Sequence, residues 1–147
     1  MHLGHTFPFV GEPYLRDAVA RFGMNRTFMV FSDDISWCKR FFKGPQFIFS
    51  EGHTPLEDLY GMARCKDHIC SNSTMSWWGA RLGPGGHTIF PSMWHGYASP
   101  VKEWSSFYFE GSEVIHNDYT PEVIRLSKRY LRWRRIRYFF KGLRFWR

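Results

Sequence analysis

The densest run of groups able to hold an anion is Ser71-Asn72-Ser73-Thr74-Met75-Ser76, followed at once by Trp77-Trp78-Gly79-Ala80. Where such a run opens a helix, unpaired backbone N–H groups and the positive end of the helix dipole meet there, and phosphate binds readily. The hydroxyls of Ser73, Thr74 and Ser76 add donors without adding charge. The same residue types cap helices routinely, and local physics leaves the two readings level. Ser32-Asp33-Asp34 forms a second polar knot. An ionised carboxylate only accepts hydrogen bonds, so Asp33 or Asp34 can cap a helix beginning there or take the paired N1–H and exocyclic N–H donors of a guanine. An acid–base pair is the weaker idea, because adjacent side chains at a helix start diverge. Cys65, His68 and Cys70 have the chemistry of metal ligands, but no fourth ligand stands at zinc spacing. Neither a metal nor another cofactor is expected. Gly83-Pro84-Gly85-Gly86 lacks the Lys-Ser/Thr of a phosphate loop and reads as a tight connection.

These residues must be positioned by the elements around them. Pro13 stands near the start of a segment with Leu15, Ala18, Val19 and Phe22 at helical spacing, closed by Gly23. Thr27 to Phe31 reads as a short buried strand. Ile35, Cys38, Phe41 and Phe42 are spaced as a helix, broken by Gly44-Pro45, and Gln46 to Phe49 makes a second strand. Thr54 at the N-cap, Pro55 at the first helical position and Glu57 three residues on define a capping box. That helix is expected to run to about Cys65 with Leu56, Leu59, Tyr60 and Ala63 inward. His68 to Cys70 is a third strand, leading into a helix through Leu82, and His87 to Phe90 a fourth, stopped by Pro91. Successive strands are separated by about 14 to 18 residues, room for a crossover helix, which predicts an α/β chain with a doubly wound parallel sheet. Ligands of such sheets sit at the carboxyl ends of strands. Ser32-Asp33-Asp34, Ser50-Glu51 and Ser71 to Ser76 all fall at those ends.

Of the 147 residues 44% are hydrophobic and 20% aromatic, which argues against disorder. The formal charge of +7 is unevenly placed. Residues 1–120 hold ten Lys or Arg against twelve Asp or Glu, a net of −2; residues 121–147 hold ten against one, a net of +9. The basic character therefore belongs to a tail and not to the globular part. That tail reads as a helix with Val123, Leu126, Tyr130 and Trp133 on one face and Arg125, Lys128, Arg129 and Arg132 on the other. Basic residues interleaved with Trp and Phe suit an anionic membrane surface. Nucleic acid and a solvated helix packed on the domain are the competing readings, and nucleic acid is not the expected partner. Cys38, Cys65 and Cys70 make an odd set without a paired framework, as in a reducing compartment. Neither the Asn25 nor the Asn72 triplet is expected to carry glycan. No signal peptide and no run of about 18 apolar residues is visible. The expected location is cytoplasmic, peripheral on the inner face of the membrane.

Three segments together resemble the family 11 glycosyltransferases, the α-1,2-fucosyltransferase family. They are Phe31-Ser32-Asp33-Asp34-Ile35-Ser36-Trp37-Cys38-Lys39, Asp58-Leu59-Tyr60 through Cys65-Lys66-Asp67-His68-Ile69-Cys70, and Ser71 through Leu82. Pro91 and Trp94 suit a Pro-x-x-Trp that follows in bacterial members, and the match covers roughly residues 5–100. The resemblance implies the Rossmann-like, donor-binding half of a GT-B fold in residues 1–120, with residues 121–147 a separate tail. It implies metal-free binding of GDP-fucose and inverting transfer to a glycan hydroxyl, commonly O2 of a galactoside. It puts Asp33 and Asp34 near guanine and ribose, Ser73, Thr74 and Ser76 near the diphosphate, and Asn72 in the turn that orients them. Trp77 and Trp78 would be packing residues. The family's His-x-Arg-Arg-Gly-Asp-Tyr motif, whose arginine would stabilise the leaving diphosphate, does not occur in this sequence. The expectation is donor binding without turnover by this chain alone, and the catalytic residues are unknown. The alternative is a non-catalytic GDP-sugar-binding fragment or subunit.

Overall fold

Short β-prone runs alternate with capped helical runs along the chain. The order is α1 (Glu12–Phe22), β1 (Phe28–Val30), α2 (Ile35–Phe41), β2 (Phe47–Phe49), α3 (Pro55–Arg64), β3 (His68–Ile69), α4 (Thr74–Leu82), β4 (Thr88–Pro91) and β5 (Glu113–Ile115), with a 3-10 turn at Ser105–Phe107. This computed structural model describes residues 10–23, 25–95 and 103–117, with Pro121, Ile124, Arg125, Lys128, Arg129 and Arg132 beyond them. Those six are helical. Val123, Leu126, Tyr130 and Trp133, the expected apolar face of the tail, lie outside the described residues, as do the aromatics after them.

All strand pairing among the described residues is parallel. Phe28 to Val30 pair with Phe47 to Phe49, His68 and Ile69 with Thr88 and Ile89, and Ile89 to Pro91 with Glu113 to Ile115. The hydrogen bonds form two sheets, β1-β2 and β3-β4-β5, and not one continuous sheet. Strands of two or three residues offer few ladder bonds, and none joins β1 to β3 among the described residues. The fifth strand was not legible: Glu113-Val114-Ile115 is too short to show a period and follows no helical pattern.

The core is centred on β4, buried along its whole length. Successive side chains of a strand face opposite ways. Ile89 accordingly packs with Val10, Tyr14 and Ala18 of the α1 region and with Ile115, while Phe90 packs with Cys70, Ala80 and Trp94 on the α4 side. Trp94 is stacked on Phe107 at 5.4 Å.

Two burial expectations are corrected. β1 is no more than half-buried, and on one face only: Phe28 stacks on Phe47 at 5.3 Å and meets Phe22 of α1, whereas Met29 and its register partner Ile48 are 42% and 50% exposed on the other face. On α3, Leu56 and Tyr60 point outward at 75% and 68% exposure. The inward direction is set instead by Gly61, where a Cβ would stand 3.1 Å from the Phe31 ring, and by Met62, which packs on Gly79 of α4. Leu59 and Ala63 are half-buried, and no residue of α3 is fully buried, so the inward-facing stripe is rotated about one residue, roughly 100°, from the Leu56–Tyr60 line.

Candidate functional site at the strand ends

The end of β3 is pinned before it opens into the polar loop. The Cys70 N–H donates to Ile89 O at 2.9 Å, and the Tyr14 hydroxyl, reaching across from α1, donates to Cys70 O at 2.5 Å with Ile89 O at 3.3 Å. Burial pushes the Tyr14 phenol well above its usual range and the Cys70 thiol up to about 12, so both stay neutral at physiological pH. Beyond Cys70 the loop is closed by its own side chains. Ser73 is the N-cap of α4 and accepts the Met75 N–H at 3.3 Å. The Ser76 hydroxyl faces Ser73 O at 2.9 Å and Ser71 O at 3.0 Å, and Asn72 Nδ2 donates to Trp94 O at 3.3 Å. A hydroxyl has one proton, and that of Ser76 goes to a backbone carbonyl. Ser76 and Asn72 thus shape the turn, while Ser73 sits at the cap and Thr74 is exposed at the first helical position.

The charge at this helix start differs from that of its neighbour. The first turn of α3 carries Glu57 and Asp58, and Glu57 completes the capping box by accepting the Thr54 N–H at 2.7 Å, which holds its carboxyl below the usual range. The first turn of α4 has no acidic residue, so no carboxylate of that turn offsets its positive dipole end.

At the end of β1, Asp34 caps α2, its Oδ1 accepting the Trp37 N–H at 3.1 Å, and its own N–H donates to Ser32 Oγ at 3.0 Å. Capping is therefore one role of Asp34. Asp33 beside it is exposed. The next strand ends alongside: the Ser50 N–H donates to Val30 O at 2.9 Å, and Lys39 of α2 pairs with Glu51 at 2.5 Å. From the sequence alone Ser50 is a polar residue at a strand end. Its hydroxyl is buried and bound to Asp58 Oδ1 at 2.6 Å and to His53 Nδ1 at 3.0 Å. Nothing in the spacing of Ser50, His53 and Asp58 announced this cluster, because it depends on how α3 leans on β2.

The loops share one side of the molecule. The carboxy-terminal end of α3 reaches His68, whose Nε2 is 2.9 Å from Met62 O, and Gly83 at the end of α4 lies against the same His68 ring. The two helices therefore run in the same direction, and their starts, with the ends of β2 and β3, lie at the opposite end.

The remaining candidates are occupied structurally. Cys65 Sγ contacts Gly61 O and Cys70 Sγ contacts Ser76 O, each at 3.5 Å, and all three cysteines are free thiols. Among the described residues no group of three or more His, Cys, Asp or Glu could hold a metal ion. Trp77 is a packing residue, its Nε1 donating to Phe107 O at 2.7 Å and its ring against Phe109 at 5.3 Å. Trp78 departs from the packing expectation, being 51% exposed on the outer side of α4 with Leu82 one turn on. In the tail, Arg125, Lys128, Arg129 and Arg132 are exposed. No described helix is long and apolar enough to cross a membrane.

A parallel α/β chain whose polar loops lie at strand ends, one of them opening a helix with no acid in its first turn, has a construction common to nucleotide-binding folds. The family comparison agrees: residues 10–108 match the model for glycosyl transferase family 11, and the chain belongs to that family. It is 44% identical over 112 residues to an alpha-1,2-colitosyltransferase of Escherichia coli, covering 71% of this chain and 34% of the relative. It is 38% identical over 58 residues to the O-antigen biosynthesis glycosyltransferase WbnK of Escherichia coli, covering 37% of this chain and 19% of that protein. The chain thus spans about a third and a fifth of the lengths of these relatives. No solved structure matches it.

Proposed function

We propose that this chain holds the GDP moiety of a nucleotide sugar at the carboxyl ends of its strands, in the manner of the donor half of a GT-B enzyme. The transfer it serves is of fucose from GDP-fucose, with inversion, to a hydroxyl of a galactoside glycan. The observation that carries this is the β3–α4 junction. A strand pinned by Tyr14 opens straight onto a helix start with the Ser73 hydroxyl at its cap, an exposed Thr74 and no acid in its first turn. Such a junction favours a diphosphate. Asp33 and Asp34, at the neighbouring strand end, are the acceptors for guanine N–H groups and the ribose; Asn72 and Ser76 hold the phosphate loop in shape. No metal is needed, because the helix start supplies the positive field. The name of the 44% identical relative favours a second reading in which the sugar moved is colitose. Asp33, Asp34, Asn72, Ser73, Thr74 and Ser76 act on the donor, and the sequence contains no His-x-Arg-Arg-Gly-Asp-Tyr run.

The test is a comparison of diphosphate with monophosphate. Ser73→Ala and Thr74→Ala should weaken GDP more than GMP in titration calorimetry, by roughly two- to tenfold for one hydrogen bond. Equal losses for both nucleotides would leave these hydroxyls as caps only. A chelator should leave the GDP affinity unchanged.

A further inference from the structure

Ser50, His53 and Asp58 form a hydrogen-bonded set whose proton placement is fixed by counting. Ser50 Oγ lies 2.6 Å from Asp58 Oδ1 and 3.0 Å from His53 Nδ1. A carboxylate oxygen can only accept, and a serine hydroxyl has a single proton. That proton therefore goes to Asp58, and Ser50 Oγ must accept from His53, so Nδ1 of the imidazole carries a hydrogen. With Nδ1 as the donor, the lone pair of the uncharged form of the ring is on Nε2. The reverse arrangement would bring a hydroxyl lone pair against a carboxylate oxygen at 2.6 Å. Ser50 is buried while His53 is exposed, so a fixed interior group orients a solvent-facing acceptor.

The position of this acceptor indicates what it serves. Ser50 follows β2 directly and its N–H bonds Val30 O of β1 at 2.9 Å. Neighbouring strands lie about 4.8 Å apart, so the ends of β1 and β2 leave the sheet side by side, Asp33 and Asp34 on one and the Ser50–His53 turn on the other. We propose that His53 Nε2 accepts a hydrogen bond from a ribose hydroxyl of the bound nucleotide, and that Ser50 and Asp58 act by positioning that ring. The inference rests on the GDP-binding reading, and assigns to it a sugar contact made by residues outside the Asp33–Asp34 and Ser71–Ser76 loops.

The experiment is titration calorimetry of the full chain with GDP, 2′-deoxy-GDP, 3′-deoxy-GDP and ADP, repeated on His53→Phe and Ser50→Ala. The unaltered chain should bind GDP roughly two- to tenfold better than one of the deoxy analogues, as for a single net hydrogen bond. His53→Phe should bring that ratio to one while the preference for GDP over ADP persists. Ser50→Ala, which frees the ring to turn, should lower the ratio too. Equal binding of all three guanine nucleotides by the unaltered chain, or a ratio that survives His53→Phe, would overturn the proposal. In either case a retained preference for GDP over ADP leaves the functional reading standing. Absence of GDP binding would overturn both.

Discussion

At the scale of single residues, several groups carry two duties, and substitutions can separate them. Asp34 caps α2 through its carboxylate and, in the proposed donor site, also meets the nucleobase. Asn caps as well as Asp does, whereas Ala costs about 1 kcal/mol at such a position. Asp34→Asn should therefore leave the urea midpoint near that of the unaltered chain, and Asp34→Ala should lower it. Because Asp33 is exposed whereas Asp34 is half-buried at the start of α2, Asp33→Asn should cost more of the preference for GDP over ADP than Asp34→Asn. The opposite order would exchange their roles. Tyr14 offers a second separation. Removing its hydroxyl leaves Cys70 O without its donor from α1, so Tyr14→Phe should cost about 1 to 3 kcal/mol in a denaturant titration. Both Tyr14 and Cys70 have folded-state pKa values raised by burial, Cys70 from 9.0 to about 12. Each is neutral when protonated, so the folded state holds its proton to higher pH than the unfolded chain. Their contribution is fully present below the unfolded values and is lost as pH rises from about 9 toward 12. Urea midpoints should fall across that window, and a flat profile would contradict the burial of these two groups.

At the scale of elements, what could be read from the sequence was what is encoded locally. The capping box of Thr54 and Glu57, the cap of α4 at Ser73 and its end at Gly83 all stand where the residue types required. The polar loops at the ends of β1, β2 and β3 were legible for the same reason, since they interrupt apolar runs. The outward turn of Leu56 and Tyr60, the exposure of Met29 and the Ser50–His53–Asp58 set were not. Each depends on which neighbour packs where, and period alone does not fix that. The α3–α4 contact shows the cause. A Cβ on Gly79 would stand 2.6 Å from Cβ of Met62, an atom near the backbone with little freedom to move. A glycine inside a helix ordinarily gains up to about 1 kcal/mol on replacement by Ala. Here the steric cost should exceed that gain, so Gly79→Ala should destabilise by about 1 to 3 kcal/mol. Thermal melts check it, and a raised midpoint would mean that the two helices are not in close contact.

At the scale of the whole molecule, charge divides the chain into a nearly neutral body and a basic tail. The exposed, helical positions of Arg125, Lys128, Arg129 and Arg132 fit the polar side of an amphipathic segment. Each basic residue near an anionic surface contributes about 1 kcal/mol, so deletion of residues 121–147 should abolish co-sedimentation with phosphatidylglycerol vesicles while leaving GDP binding intact. Binding by the intact chain should weaken as salt rises, since screening acts over about 10 Å at 0.1 M. A preference for single-stranded RNA at the same ionic strength would replace the membrane reading with nucleic acid. The central claim, however, concerns the body: that strand ends bearing Asp33 and Asp34 on one side and Ser73 and Thr74 on the other hold a guanine nucleoside diphosphate. Titration calorimetry of the intact chain with GDP, ADP and UDP tests it most directly. The account predicts GDP to bind more tightly than ADP or UDP, and equal affinities for the three, or no binding of GDP, would contradict it.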